Sequence, residues 1–332
     1  MPVSHRNHPS RRTVLAGSLA APLLAIGARG VFAQEKYPSR TVRFVVPFPP
    51  GSGTDTMARL FAKVLQEQTG QSFIVENRAG GNGFVGAQAA IQAPPDGYTV
   101  FVGANSTLSV NAVQFKKLPY DPVADFSLIS LVFLNPCLVI VPANSPYKTL
   151  ADLVADAKKR PGALNYGSGS ATYQLYSEWL NEVAGMKTTP IPFKGAGDAT
   201  TATVAGQVDF SVVDASSGSE LIKSGNLRGL VFANEKRSTV VPDVPTSKEA
   251  GVADFLASVW VAIAMPAKVP QAITDQFEAM VQKAGQSQDV KDYMTRLGSI
   301  SPMLKPDATK KFQQDEIARF KQIAAKAGIE QQ

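Results

Sequence analysis

From Thr41 onward the chain alternates short β-rich runs with helical stretches, and loops of small residues join them in a recurring order. This alternation constrains the fold most, because strands interleaved with helices argue for α/β units. The first unit runs from TVRFVVPF through PPGSG into a helix expected over Thr56 to Gln68. There Met57, Leu60, Phe61, Val64 and Leu65 share one face, and Gly70 is the stop signal. SFIVEN, the loop RAGGNG, the helical FVGAQAAIQA, the turn PPDG and the run YTVFVGAN follow.

Near Pro136 to Ser145 the texture changes. NPCLVIVPANSP reads as a strand crossing into a second α/β series: TLADLVADAKKRPG, LNYGSGS, ATYQLYSEWLNEVAG, TPIPF, ATTATVAG, QVDFSVVD and LRGLVFAN. SVWVAIAMP, Ser258 to Pro266, reads as the crossing back, and the remainder is helical. Pro270 opens a helix, Gly298 ends the next, and Ala308 to Lys326 forms the last. The expected division is 34–138 with 256–332 as one discontinuous domain and 139–255 as the other. A cleft between two such domains is a favoured ligand site.

The first 33 residues stand apart. A basic start, an apolar stretch from Val14 to Ile26 and the small-residue end Val31-Phe32-Ala33 read as an export signal cleaved after Ala33. The apolar run is too short for a bilayer, which needs about 20 helical residues. Ser10-Arg11-Arg12-Thr13-Val14-Leu15 also resembles a twin-arginine signal, with Val14 where that pattern favours Phe, so either export route is open.

Removing this leader changes the charge argument. The whole chain has 33 basic and 27 acidic residues, but four of the arginines lie in the leader, leaving 29 against 27. A net charge near +2, with no dense Lys/Arg block, argues against nucleic acid as a partner. Both histidines, His5 and His8, also lie in the leader. A Ser-His-Asp triad, a Cys-His pair and a His-ligated zinc site are therefore excluded from the 299 residues that remain. No cofactor is expected, and an enzyme using carboxylate pairs or a Ser-Lys arrangement stays formally open. The single Cys137 lies in LVFLNPCLVIV and is expected to be a buried apolar cysteine.

Four loops share one grammar: PFPPGSGTD (47–55), VGANSTL (102–108), YGSGSATY (166–173) and PFKGAGDA (192–199). Small residues let backbone N–H groups approach a ligand, and helix N-termini favour negative charge. Each loop alone also reads as an ordinary helix cap. Asp55 is expected to cap or position its loop rather than touch an anion. Lys194 is either a solvated loop charge or a ligand partner, and Asp214 either caps the following segment or accepts from a ligand. Gly81-Asn82-Gly83-Phe84-Val85-Gly86 matches G-x-G-x-x-G. It lies several residues past the strand, with no acid about 20 residues on, so dinucleotide binding is not expected.

The ordered series PFPPGSGTDTMAR, VENRAGGNG, PPDGYTV, VGANST, VPANSPYKTLADL, NYGSGS, PFKGAGDATTATVAGQVDF and VPDVPTSKEAG is similar to the Bug family. These are extracytoplasmic solute-binding proteins of tripartite tricarboxylate transporters. The resemblance spans the chain from about Tyr37 to the end. It implies a type II periplasmic binding fold, two α/β domains around a hinge that close on a small organic carboxylate. It also implies a periplasmic location, a monomer, and delivery to membrane transporter subunits. A sensory protein presenting its ligand to a signalling receptor would use the same cleft. By resemblance, Phe48, Gly51, Ser52, Gly53 and Thr54, with Asn105, Ser106 and Thr107, hold one carboxylate through amides and water. Ser168, Ser170, Thr172, Lys194, Gly195 and Asp214 would face the other end of the ligand. Gly51-Ser52 stands where the family commonly has two adjacent glycines, after a stiff Pro49-Pro50. Ser52 is therefore expected to influence ligand selectivity.

Overall fold

A computed structural model describes residues 37–193 and 195–331. The expected export signal and Lys194 lie outside the described residues. The first β/α run is β1 (Val42–Val46), α1 (Gly53–Thr69), β2 (Phe73–Asn77), a 3-10 turn (Gly81–Gly83), α2 (Phe84–Ile91) and β3 (Thr99–Ala104). β1 pairs in parallel with both β2 and β3. Helix α1 starts three residues earlier than the periodicity predicts, because Ser52 rather than a later residue is its N-cap. Gly70, left-handed at φ 72°, ends it as expected.

After β3 the chain enters a π-helical turn (Ser106–Val110) and the short α3 (Asn111–Gln114). It then forms β4 (Phe126–Pro142), a strand of 17 residues. This strand starts ten residues before the predicted crossing. Its first part, Phe126 to Pro136, pairs antiparallel with β9 (Ser258–Pro266), and β9 pairs with β3 on its other side. From Cys137 onward β4 pairs instead with β7 (Phe210–Asp214) and β8 (Leu227–Phe232). The change of partners falls at Pro136 and Cys137, where proline's missing N–H withholds a ladder bond. Cys137 is fully buried there.

The second run is α4 (Leu150–Lys159), β5 (Asn165–Ser168), α5 (Ala171–Ala184), β6 (Thr189–Pro192), α6 (Ala196–Val204), β7, α7 (Ala215–Lys223) and β8. β5 pairs in parallel with β6 and β7. The nine strands lie in the order β2-β1-β3-β9-β4-β7-β5-β6, with β8 also on β4. Three helices complete the chain: α8 (Gln271–Gly285), α9 (Gln288–Leu297) and α10 (Pro306–Ala327).

Two cores flank the shared strands. Phe44, Phe61, Val102 and Ile263 pack with Phe277 and Val281 of α8. Tyr166, Tyr176, Trp179, Phe210 and Phe255 pack with Phe320 and Ile323 of α10. The last helix therefore spans both halves. Near its start Thr309 Oγ1 accepts the Leu131 N–H at 3.1 Å, and further along the Phe320 ring lies 5.7 Å from that of Tyr176.

Candidate ligand-binding cleft

The first wall is built by the turn between β1 and α1. Gly51 has φ +81°, a left-handed conformation that favours glycine, and it delivers the chain to Ser52. Ser52 caps α1, its Oγ accepting the Asp55 N–H at 3.2 Å. Asp55 is buried and closes the turn from beneath. It accepts the Gly51 N–H at 2.8 Å, Arg59 Nε at 3.0 Å and Asn77 Nδ2 at 2.9 Å. Burial pushes the Asp55 carboxyl upward, but these donors prevail and hold it below its ordinary value. Asp55 thus positions the loop, as its place in the sequence suggests.

With Asp55 and Thr56 N–H groups satisfied by Ser52, those of Gly53 and Thr54 have no acceptor among the described residues. They are the free donors expected in the first turn of any helix. Thr54 is only 6% exposed, and its hydroxyl is likewise unpartnered among the described residues.

The opposite wall is the start of α5. Ser170 is its N-cap without a side-chain cap bond, and the first amide paired back to it is that of Gln174, at 3.0 Å. Thr172 is again 6% exposed. Gly169 is required here by close approach: a Cβ would lie 2.4 Å from the backbone of Gly195 and Ala196. The loops after β5 and β6 are thereby pressed together.

Between the two helix starts lies a cavity of about 510 Å³. Of the residues expected to bind ligand, Phe48, Ser52, Thr54, Asn105, Ser106, Ser170 and Thr172 line it. Gly51, Gly53, Thr107, Ser168, Gly195 and Asp214 do not. Gly53 is the first residue of α1. Thr107 Oγ1 turns inward to donate to the Ala104 carbonyl at 3.0 Å, and Ser168 Oγ donates to the Ser170 carbonyl at 2.8 Å. Asp214 is the N-cap of α7, accepting the Ser217 N–H at 3.1 Å. Ser216 and Ser217 hydroxyls, Asn135 Nδ2 and Tyr173 Oη also donate to its carboxylate.

Sequence reasoning missed several lining residues. Tyr173 and Phe193 sit inside loops already marked, and only their small neighbours drew attention. Val110, Asn111 and Gln114 arrive through the π-helical turn, a local widening frequent at functional sites that has no signature in the residue pattern. Val259 comes from the crossing strand β9, and Asn82 from the glycine turn. That turn is not a nucleotide cradle. Gly83 has φ +87°, and a Cβ on it would lie 2.3 Å from Thr107 Cγ2, so its glycines serve packing beneath the cleft.

Among the described residues no charged side chain lines the cavity. Its walls combine apolar surface from Phe48, Val110, Phe193 and Val259 with amides and hydroxyls at two helix starts. Such a lining suits an organic anion held by dipoles.

Residues 57–329 match the tripartite tricarboxylate transporter family receptor. The chain belongs to this family. Protein BugT of Bordetella pertussis (strain Tohama I) is 32% identical over 318 residues, 95% of each chain. Among solved structures, Rpa4515 of R. palustris with adipate superposes with a TM-score of 0.77 at 30% identity, covering 89% of this chain and 100% of that one. MatC from Rhodopseudomonas palustris with bound malate gives 0.73 at 32% identity, covering 86% and 99%. The periplasmic binding protein BugD gives 0.73 at 27% identity, covering 89% and 100%. The fold is thus that of this class of periplasmic binding protein, and the family is one of receptors rather than enzymes. Among the described residues no helix is long and apolar enough to cross a membrane.

Proposed function

We propose that the chain is an exported periplasmic receptor that closes on a small organic carboxylate and delivers it to the membrane subunits of a tripartite tricarboxylate transporter. The observation that carries this reading is the pairing of two helix starts, α1 and α5, across one cavity whose described lining has no charged side chain. The adipate and malate of its structural relatives are both carboxylates of a size such a cavity holds.

Charge-assisted bonds contribute about 1.5 to 3 kcal/mol each. A few of them at Gly53, Thr54 and the α5 turn suffice for a micromolar complex of about −8 kcal/mol after ordering costs. In this reading 34–138 with 256–332 forms one lobe and 139–255 the other. The chain crossings near Pro136 and Ser258 act as the hinge, and residues 1–33 as the export signal. Closure is a population shift toward the state bridged by ligand.

The test is a thermal-shift panel of organic acids, sugars and metal salts on the mature protein. A ligand at 100 times its dissociation constant stabilises the fold by about 2.7 kcal/mol. Stabilisation by neutral sugars or cations, with none by any carboxylate, overturns the reading.

A further inference from the structure

Beneath the cleft runs a circuit of buried polar contacts, linked through the backbone of β9, that meets the cavity at Asn105. Asn105, 2% exposed, opens the π-helical turn and donates through Nδ2 to Tyr176 Oη at 2.9 Å. Tyr176, on α5, donates its own proton to the Ser258 carbonyl at the start of β9. Two residues along β9, Trp260 Nε1 donates to Glu316 Oε2 of α10 at 2.7 Å. Ser109 Oγ lies within hydrogen-bond reach of both Glu316 Oε2 and, at 3.0 Å, the Asn105 carbonyl, and its single proton goes to one of these two acceptors.

The direction of the two Tyr176 bonds is dictated by chemistry. A carbonyl can only accept, so the single phenolic proton of Tyr176 goes to Ser258. Tyr176 Oη must then accept from Asn105, which requires that Nδ2 and not Oδ1 face it. The orientation of the Asn105 amide is therefore set by a residue that does not line the cavity. Its Oδ1 and second Nδ2 hydrogen remain for the ligand side. The circuit also joins four pieces of chain: the cleft turn, the helix forming the opposite wall, the crossing strand and the last helix.

We propose that Tyr176 is a positioning residue of the cleft, holding the Asn105 amide and the 106–110 turn in register with the crossing strand β9. The inference rests on the receptor reading only for what the cleft holds, since the circuit is present whatever the ligand. Loss of the Tyr176 hydroxyl strands two groups of the circuit, Asn105 Nδ2 and the Ser258 carbonyl. A buried polar network with one member missing loses its orienting power along with the bond itself.

The experiment is amide hydrogen exchange on the full mature chain, comparing wild type with Tyr176→Phe and, from the other side of the circuit, Ser109→Ala. Exchange at amides 106–110 and 258–260 should quicken about tenfold or more, while core amides such as Phe44 and Val102 keep their wild-type rates. A purely structural role would quicken all protected amides alike, and that result, or no change in either variant, overturns the proposal. Should Tyr176→Phe fail to fold, the Ser109→Ala pattern decides by the same criterion. Adipate and malate are then titrated by calorimetry, with Tyr176→Phe expected to weaken about tenfold whichever acid wild type binds. Unchanged affinity for an acid that wild type binds also overturns the proposal. If wild type binds no carboxylate the receptor reading fails, and the exchange pattern still decides the role of Tyr176.

Discussion

Tyr173 Oη donates to Asp214 Oδ2 at 2.7 Å, so a residue of the cleft wall occupies a carboxylate that the sequence leaves available to a ligand. Asp214 is 8% exposed and already accepts from Ser216, Ser217 and Asn135. With its lone pairs engaged and no acid among the described lining residues, the cleft offers little to balance an α-ammonium group. L-Aspartate should therefore bind at least about tenfold more weakly than succinate, a difference of about 1.4 kcal/mol. Tyr173→Phe should narrow that gap by freeing an oxygen of Asp214. Calorimetric titration of both acids checks this, and equal affinity in wild type would count against it.

Asp55 organises the other wall, and Asp55→Asn removes the charge that draws in Gly51, Arg59 and Asn77. We expect a loss of about 2 kcal/mol in urea unfolding, within the range for hydrogen bonds to charged groups, together with weaker ligand binding. The folded pKa of Asp55 is depressed. Its contribution is accordingly complete above the unfolded carboxylate range and disappears as pH falls through the folded value. Stability that is insensitive to this substitution at pH 7 would show that the loop is held by other means.

Glu316 predicts the opposite pH behaviour. Burial lifts its carboxyl to about 7, against the pull of Ser109, Trp260 and Arg319. Cys137 and Tyr176 also face it, and both are neutral in this range, their own pKa values being raised well above the ordinary ones. Between the unfolded glutamate value of about 4.3 and about 7, the folded chain keeps a proton that the unfolded chain has released. Stability from this group is thus full at the acid end and falls as pH rises, by roughly 3 kcal/mol across the window. Glu316→Gln should flatten this decline. Urea midpoints at pH 5 and pH 8 that fall equally in both proteins would refute the assignment.

Two glycines separate binding from packing. Gly83→Ala must relieve a Cβ approach of 2.3 Å to Thr107 Cγ2 in a left-handed backbone, so a stability cost of about 2 kcal/mol or more is expected. A Cβ at Gly53 meets nothing within 4 Å. Gly53→Val should leave the melting temperature nearly unchanged while crowding the free amides of α1 and weakening carboxylate binding. Matching losses of stability and affinity at Gly53 would reduce this turn to a helix cap.

Cys137 is completely buried, and burial pushes its thiol well up. It should react with a thiol-specific dye only on the timescale of unfolding, and fast labelling of the native protein would contradict its place in the strand β4.

Much of this protein is written locally. The strand and helix pattern, the stop at Gly70, the strand Ser258 to Pro266 and the four small-residue loops follow from short-range periodicity and capping, which depend on neighbours in the chain. The motif series that marks the family is also local. What the tertiary structure alone decided are matters of competition between partners distant in sequence. Whether Asp214 serves a helix cap or a ligand depended on Tyr173, 41 residues away, and on Asn135, 79 residues away. The early start of β4 depended on β9, more than 120 positions further along the chain, offering it a ladder. The π-helical turn that brings Val110 and Gln114 to the cleft, and the reach of α10 from Leu131 of β4 to the core around Tyr176, depend likewise on where distant surfaces meet. Sequence limits which groups can donate, accept or be buried, whereas only the folded chain determines which of those groups are already satisfied and which remain for a ligand.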